Sequence, residues 1–352
     1  MKKLLLTSVA VSGLALAATP ARAEVELELG GYFKGYMAWV DQDEVPGSEL
    51  NDIDMVRDTE VHFGGETTLD NGLTVGAHIE ADADGGDGFG VDESYLYMSG
   101  DWGRVNVGAE DGAAYLLQVA APSADSNYDG LRQFVSPFNS TVAGVDLNTD
   151  YAVDPSGKAD KLTYLSPVFN GFQAGVTFSP DTDSAGSFGI GTDDVAGEIG
   201  RTYELAARYE GEFNNIGLIL GAGYSYGELE DEATADDDDR QVWNVGLDLD
   251  VGPVGVGAAY VSDNLANEDD ESDTIVVGVD YTTGPFKIGA SYLNEDREND
   301  QELDRYSGGV NYEYGPGMSF RGTLTFVDAE EDGTGGDDAD GVALLVGTQV
   351  EF

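Results

Sequence analysis

The sequence predicts an all-β protein, a closed sixteen-stranded antiparallel transmembrane β-barrel with short turns at one end and long loops at the other. Three observations predict this fold class. Sixteen segments alternate apolar and polar residues, and the connections between them alternate in length. Beyond the N-terminal residues, no run of 18 apolar residues could form a transmembrane helix.

The N-terminal 23 residues have the three parts of a secretory signal peptide. They are the charged start "MKK", an apolar run at 4–18 and small residues, "ARA", before Glu24. A buried N-terminal helix is the alternative. We therefore expect an exported protein whose barrel domain is 24–352. The absence of cysteine means that no disulfide stabilises it.

The charge balance excludes one class of partner. The chain has 68 acidic residues against 16 lysines and arginines, for a formal net charge of −52. A nucleic acid is held largely by basic side chains on its phosphates, and this composition offers no basic patch. We expect no nucleic-acid partner.

The alternation is clear in the first segment, where Leu27, Leu29 and Phe33 share one face while Glu28 and Lys34 share the other. This period of two residues is typical of a strand with one apolar and one polar face. The same count gives sixteen candidate strands, near 24–40, 56–69, 73–82, 92–100, 103–109, 160–166, 172–179, 201–212, 216–226, 240–251, 254–262, 273–282, 286–294, 303–314, 318–328 and 341–352.

Seven connections are short, and the other eight are long, polar and acidic. Asn-Gly and Gly-Pro pairs supply the positive φ or fixed geometry that tight hairpins need. Short turns on one side only are typical of a barrel inserted from the periplasm into the outer membrane. The short connections are "DNG" at 70–72, "GDW" at 100–102, "PVFNG" at 167–171, "NN" at 214–215, "GP" at 252–253, "GP" at 284–285 and "GPG" at 315–317.

The connection 110–159 is longer than the others and too apolar for a free segment. It carries Tyr115, Leu117, Val119, Phe134 and Phe138, which must pack on something. A wide barrel leaves only its own interior, so we expect this loop to fold into the lumen.

Three local patterns resemble the Gram-negative outer-membrane porin family, of the alphaproteobacterial type. They are "WGRVNVGAEDGAAY" (102–115), "DKLTYLSPVFNGFQAGVTF" (160–178) and a last strand ending in Phe. The resemblance implies a trimeric, sixteen-stranded general-diffusion channel. It also implies that the third loop forms the constriction, with loop acids facing basic residues of the wall.

Strand parity assigns the charged residues to the lumen, because the lipid face of such a barrel is apolar. The basic residues expected on the lumen wall are Lys34, Arg104, Lys161, Arg208, Lys287, Arg305 and Arg321. Selection against charge at the lipid face explains this parity equally well without any function. The acids expected on the constriction loop are Glu110, Asp111, Asp125 and Asp129.

The final segment predicts closure of the barrel. Val350 and Phe352 belong to its outward set, and we expect this strand to pair with 24–40 so that no open edge faces lipid. The family resemblance adds that a terminal Phe serves as a signal for the barrel-assembly machinery.

Two further patterns concern metals. Asp82, Asp84 and Glu93 occupy places one, three and twelve of a calcium loop, but Asp87 stands where that loop requires Gly, so we expect at most weakly bound Ca²⁺ and no cofactor. If Leu69 pairs with Leu73 across the Asp-Asn-Gly turn, His62 faces Glu80 and lies diagonal to His78, all towards the lumen, with metal binding or pH gating as the alternatives to ordinary lumen lining. Two ligands without a third favour ordinary lumen lining.

These observations predict an outer-membrane porin that is not an enzyme. We expect a water-filled channel for passive diffusion of ions and small hydrophilic solutes, with a preference for cations because acids crowd its external loops. The partners expected are two further copies of the chain, membrane lipid and lipopolysaccharide. A substrate-specific channel and an acidic secreted or outer-membrane adhesin are the alternatives.

Overall fold

A computed structural model describes residues 25–84, 89–182, 195–234, 236–267, 270–297, 301–331 and 338–352. The expected signal peptide, 1–23, lies outside these residues. The strands are β1 (Glu26–Gln42), β2 (Ile53–Thr68), β3 (Thr74–Asp82), β4 (Gly90–Gly100), β5 (Gly103–Ala109), β6 (Asp160–Leu165), β7 (Phe172–Ser179), β8 (Ile199–Phe213), β9 (Ile216–Leu229), β10 (Arg240–Val251), β11 (Val254–Asp263), β12 (Ser272–Thr283), β13 (Phe286–Arg297), β14 (Gln301–Gly315), β15 (Met318–Glu331) and β16 (Asp338–Glu351). Two short helices, α1 (Ala113–Leu116) and α2 (Ser140–Ala143), lie between β5 and β6.

Each strand pairs antiparallel with its neighbours in sequence, and β1 pairs with β16, so the sheet closes into a barrel. At the seam Phe33 lies opposite Val350. The backbone N–H of Gly31 donates to the carbonyl of Phe352 at 3.0 Å, and the N–H of Phe352 donates back at 3.1 Å. The expected closure by the last strand is confirmed.

The outward face is apolar and carries aromatic rings near both ends, which is the pattern of a barrel in a membrane. Exposed aliphatic side chains such as Leu205 and Val346 lie between the two levels. Neighbouring rings pack in pairs near the short turns, at Trp102–Tyr164, Phe172–Tyr209, Phe286–Tyr312 and Tyr314–Phe320. Others pack near the long loops, at Phe178–Tyr203, Trp243–Tyr260 and Tyr292–Tyr306.

The short turns have the backbone geometry that their sequences predict. Asn214 and Asn215 both have positive φ, 52° and 63°, as a two-residue type I′ turn requires. Gly252 and Gly284, each followed by Pro, have φ of 63° and 58°. These dihedrals fix the registers of the hairpins and therefore which side chains face inward.

All sixteen predicted strands are present, but several begin earlier than predicted. β2 begins at Ile53 rather than near 56, and β16 begins at Asp338 rather than at 341. The hydrogen-bonded ladder continues past the apolar band into polar residues, where the alternation no longer marks it. The sequence did not predict α1 and α2. Among the described residues, no helix has the length and apolar character needed to cross a membrane.

Candidate functional site

Residues 110–159, called here the inner loop, fold into the barrel as expected. Tyr128, Leu147 and Tyr151 are at most 2% exposed although they belong to no strand. From β5 the inner loop follows the wall past β7–β13 to β15 and then returns to β6. The apolar side chains that made it too apolar for a free segment are thus removed from water.

The wall beneath this loop is lined by inward-facing glycines, which let backbone approach backbone. A Cβ at Gly278 would overlap the carbonyl oxygen of Pro122, and one at Gly289 would lie 2.8 Å from the amide nitrogen of Ala124. Larger side chains would hold the inner loop away from the wall. This glycine track consists of Gly175, Gly221, Gly223, Gly246, Gly257, Gly278 and Gly289.

Asp125 anchors the far end of the inner loop. Its carboxylate, on a side chain 2% exposed, lies 2.9 Å from Nη1 of Arg321. Thr323 and Tyr36 also donate to it, each at 3.0 Å. A buried charge needs such partners, because leaving it unpaired costs several kcal/mol. The loop acids were predicted to face basic residues of the wall. Asp125 does so directly, through its ion pair with Arg321.

Asp111 instead pairs with cations of the inner loop itself. Arg132 Nη2 lies 2.8 Å from Asp111 and 2.6 Å from Asp154. Lys158 Nζ lies 2.7 Å from Asp111 and also contacts Glu93 on β4. This network, the loop clasp, joins the start, middle and end of the inner loop to the wall.

Two acids of the loop clasp, Asp111 and Asp154, differ in pKa. Burial opposes ionisation of Asp111, but the charges of Lys158 and Arg132 outweigh it and lower the pKa of that carboxyl below its ordinary value. At Asp154, burial and the negative charge of Asp111 outweigh the contact with Arg132 and raise the pKa to about 7.

Glu110 and Asp129 are also buried. Glu110 accepts two hydrogen bonds of 2.7 Å from Nδ2 of Asn106, and burial raises its pKa to about 7. Asp129 accepts a hydrogen bond of 2.7 Å from the hydroxyl of Ser291, and burial raises its pKa. Neither carboxylate forms an ion pair among the described contacts.

Three more of the predicted wall bases bind backbone carbonyls of the inner loop. Lys161 donates to the carbonyl of Glu110, and Arg305 donates to that of Thr149 at 2.7 Å. Arg208 donates to the carbonyl of Gln118 at 3.2 Å. These side chains face inward as their parity predicted, and their hydrogen bonds hold the loop.

The remaining wall bases sit in different surroundings. Lys287, 37% exposed, pairs with Asp280 at 3.1 Å. Lys34 pairs with Asp58 at 2.9 Å, and its ammonium lies 3.2 Å from the ring centre of Phe134. The guanidinium of Arg104 lies 4.0 Å from the ring centre of Tyr97 on β4.

The inner face of β1–β4, called here the open wall, carries aromatic rings, imidazoles and charged side chains. Its rings form a continuous arc across the four strands, with neighbouring ring centres 5.4–6.5 Å apart. The arc consists of Tyr32, His62, His78, Tyr95 and Tyr97. Its side chains are only partly buried, and a cavity of about 490 Å³ opens in front of Tyr32 and both histidines.

A profile of the Gram-negative porin family matches residues 8–332, which is most of the chain. This chain belongs to the Gram-negative porin family. The porin is therefore a protein of the bacterial outer membrane, as expected from its sequence. A search of curated proteins gives no match.

Solved structures share the porin's fold at low sequence identity. An anion-selective porin from Comamonas acidovorans is 16% identical with a TM-score of 0.65, covering 94% of this chain and 100% of its own. A variant porin of Rh. blastica is 18% identical with a TM-score of 0.60, covering 93% and 100%. A loop-deletion mutant of OmpT, an outer membrane protein of Vibrio cholerae, is 15% identical with a TM-score of 0.59, covering 93% and 99%.

The porin does not bring its calcium-like pattern together among the described residues, which omit 85–88. Asp84 lies 3.5 Å from Arg57, and Glu93 contacts Lys158. The groups with ligand atoms within 4.8 Å of one another are His62/His78/Glu80 and Glu60/Glu80/Asp92, and neither includes Asp82, Asp84 or Glu93.

Sequence reasoning missed several residues that shape the porin lumen. Arg132 and Lys158 lie in the inner loop, where no strand parity orients them. The glycine track carried a usable signal, since its members occupy inward positions of β7 and β9–β13. The sequence does not show that the inner loop is what packs on them. The carboxylates of the open wall also have inward parity in the sequence, but only the basic residues of that parity were predicted as pore-lining.

Proposed function

We propose that this porin forms a water-filled channel for passive diffusion of ions and small hydrophilic solutes, with a preference for cations. The observation that carries the proposal is the lining of the cavity at the open wall. Three carboxylates line it, those of Glu28, Glu80 and Glu351, against the single lysine Lys34. Fixed charge of one sign concentrates ions of the opposite sign.

The arrangement of the inner loop supports the same proposal. Hydrogen bonds and ion pairs hold it against β7–β15, and further contacts tie it to β1 through Tyr36 and to β4 through Glu93. We infer that the passage for solutes runs through the cavity in front of Tyr32 and the two histidines. Lys34 is offset there by Asp58 at 2.9 Å. The remaining excess of carboxylates acts on ions at short range, where screening by salt is weak.

Selectivity is a property of the lining and not of the fold. The porin from Comamonas acidovorans is anion-selective and yet has the same sixteen-stranded architecture. Our proposal therefore rests on the charges of the open wall, and the acidic composition of the whole chain, 68 acids against 16 bases, adds to it.

The test is the reversal potential of purified protein in a planar bilayer across a tenfold KCl gradient. We expect the sign that indicates K⁺ preference, and we expect Glu28→Gln with Glu351→Gln to reduce it. The matched control is Asp41→Asn with Asp328→Asn, which removes two exposed carboxylates from the outward face. Anion preference, or equal effects of both pairs, contradicts the proposal.

The aromatic arc favours a second candidate, a channel selective for particular solutes. Ring faces of Tyr95 and Tyr97, with Glu66 accepting a hydrogen bond of 2.6 Å from Tyr97, offer stacking and polar contacts together. A channel that binds its solute at such a site is expected to show a block of its ion current by that solute. We expect no block by neutral mono- and disaccharides for a general channel, whereas a block removed by Tyr95→Ala indicates the selective one.

The proposed partners follow from the same reading. Exposed aliphatic side chains on the outward faces of β1 and β2, including Leu27 and Met55 at 84% and 73%, support contact with other copies in a trimer. Lipopolysaccharide and the barrel-assembly machinery, the latter through Phe352, remain predictions. Membership in the porin family agrees with the expectation that the chain is not an enzyme.

A further inference from the structure

We propose that the open wall binds a divalent transition-metal ion, with Zn²⁺ as the reference ion, through His62, His78 and Glu80. The site lies inside the barrel, near the end that carries the short turns. It is separate from the anchors of the inner loop and from the calcium-like pattern.

The three side chains converge on one point. One ligand atom from each lies within 4.8 Å of the other two. Nε2 of His78 lies 2.7 Å from Oε1 of Glu80, and Nε2 of His62 lies 3.8 Å from Oε2 of the same carboxylate. Zinc bonds of about 2.0–2.1 Å in a tetrahedron place ligand atoms roughly 3.3 Å apart, between these two distances.

Strand register holds the ligands in place. His62 on β2 lies directly opposite Glu80 on β3, and His78 is two residues from Glu80 on the same face. The turn that joins β2 to β3 fixes this register through the N–H of Leu69, which donates to the carbonyl of Leu73 at 2.8 Å. Only side-chain rotations are needed to close the ligands on an ion.

The donor set selects the class of metal. Two imidazoles with one carboxylate suit Zn²⁺ and its transition-metal neighbours, whereas Mg²⁺ and Ca²⁺ prefer oxygen alone. Glu60 lies 2.9 Å from Nε2 of His62 and adds negative charge beside the ion. Lys34, a cation that lines the same cavity, is paired with Asp58.

The site is open to solutes. Both histidines and Glu80 line the cavity of about 490 Å³ at the open wall. Three protein ligands leave a fourth coordination position for water or a solute, as in zinc sites that keep an open position. A bound divalent ion would also reduce the negative charge along the proposed path of cations.

The experiment is titration of the purified, folded protein with ZnCl₂ by isothermal calorimetry. We expect one saturable site per chain, and no comparable heat with MgCl₂ at the same concentrations. His62→Ala and His78→Ala should each weaken Zn²⁺ binding at least about tenfold, since even the loss of residues that only support a ligand costs about that much.

The matched control is Glu66→Gln, which removes a carboxylate from the same wall outside the cluster and should leave Zn²⁺ affinity unchanged. Equal weakening in this variant, unchanged affinity in both histidine variants, or absence of a saturable site overturns the proposal. The shift of folded and unfolded barrels on unheated gels confirms that each variant is folded. Because calorimetry does not depend on conductance, failure of the proposed channel function would leave this test intact.

Discussion

The two sides of the barrel interior differ in the size of their side chains. Along β7–β13 many inward positions beneath the inner loop are glycines, and a chain segment lies directly on the sheet. Along β1–β4 the inward positions carry rings, carboxylates and imidazoles, with a cavity in front of them. The two walls therefore differ in role. The glycine-lined wall positions the inner loop, and in the proposed function the open wall lines the path of ions and solutes.

This division makes different changes matter on each side. On the covered side, added volume or a lost anchor should move the inner loop and so alter the passage indirectly. On the open wall, a change of charge should alter ion preference while leaving the structure in place.

The largest effect is expected from Arg321→Met, which leaves Asp125 buried without its cationic partner. Loss of one member of a buried ion pair costs about 3–5 kcal/mol. We expect a lower thermal unfolding midpoint by circular dichroism and increased current noise from a loosened loop. Adding Asp125→Asn to this variant should restore part of the stability, and no recovery would contradict the anchoring role.

A smaller effect is expected from Gly278→Ala. Its new methyl group overlaps the carbonyl of Pro122, and overpacking of this kind costs about 1–3 kcal/mol. We expect a lower midpoint together with a changed single-channel conductance. The control is Gly308→Ala, where the nearest atom lies 3.8 Å from the added carbon. Equal behaviour of the two variants would show that the glycine track does not hold the loop.

The smallest effect is expected from pH. Burial raises the pKa of Glu110 and of Asp154 to about 7, so both are ionised at pH 8 and mostly protonated at pH 5.5. The negative charge of the inner loop therefore falls as pH falls, and the proposed preference for K⁺ should fall with it. The double variant Glu110→Gln with Asp154→Asn should flatten the pH dependence of the reversal potential. If the pH dependence is unaltered in this variant, other titrating groups cause it.

Most of the fold was predictable because its rules are local. Alternation identified every strand, and pairs such as Asn214–Asn215 identified turns whose φ values need no tertiary information. Parity likewise placed Lys34 and Arg305 inside the barrel. These inferences succeed because a strand has only two faces and the membrane makes one of them apolar.

The site was less predictable because it depends on contacts across the lumen. Nothing in the sequence near Asp111 indicates Arg132 or Lys158, which approach it only when the inner loop folds back. Parity showed that Arg321 faces inward, but only the course of the loop brings it to Asp125. The cluster of His62, His78 and Glu80 depends on the register of β2 against β3. The Asp-Asn-Gly turn suggests this register from the sequence, but the distances between the side chains come only from the structure.

The glycine track has a consequence for how porins of this kind can diverge. It leaves room for the backbone and the small or apolar buried side chains of residues 113–124, so its demands fall on the face of that segment that packs against the sheet. Descendants of one barrel can therefore exchange residues on the exposed face of the loop without redesigning the sheet. Channel width and ion preference become independently variable traits on a constant scaffold.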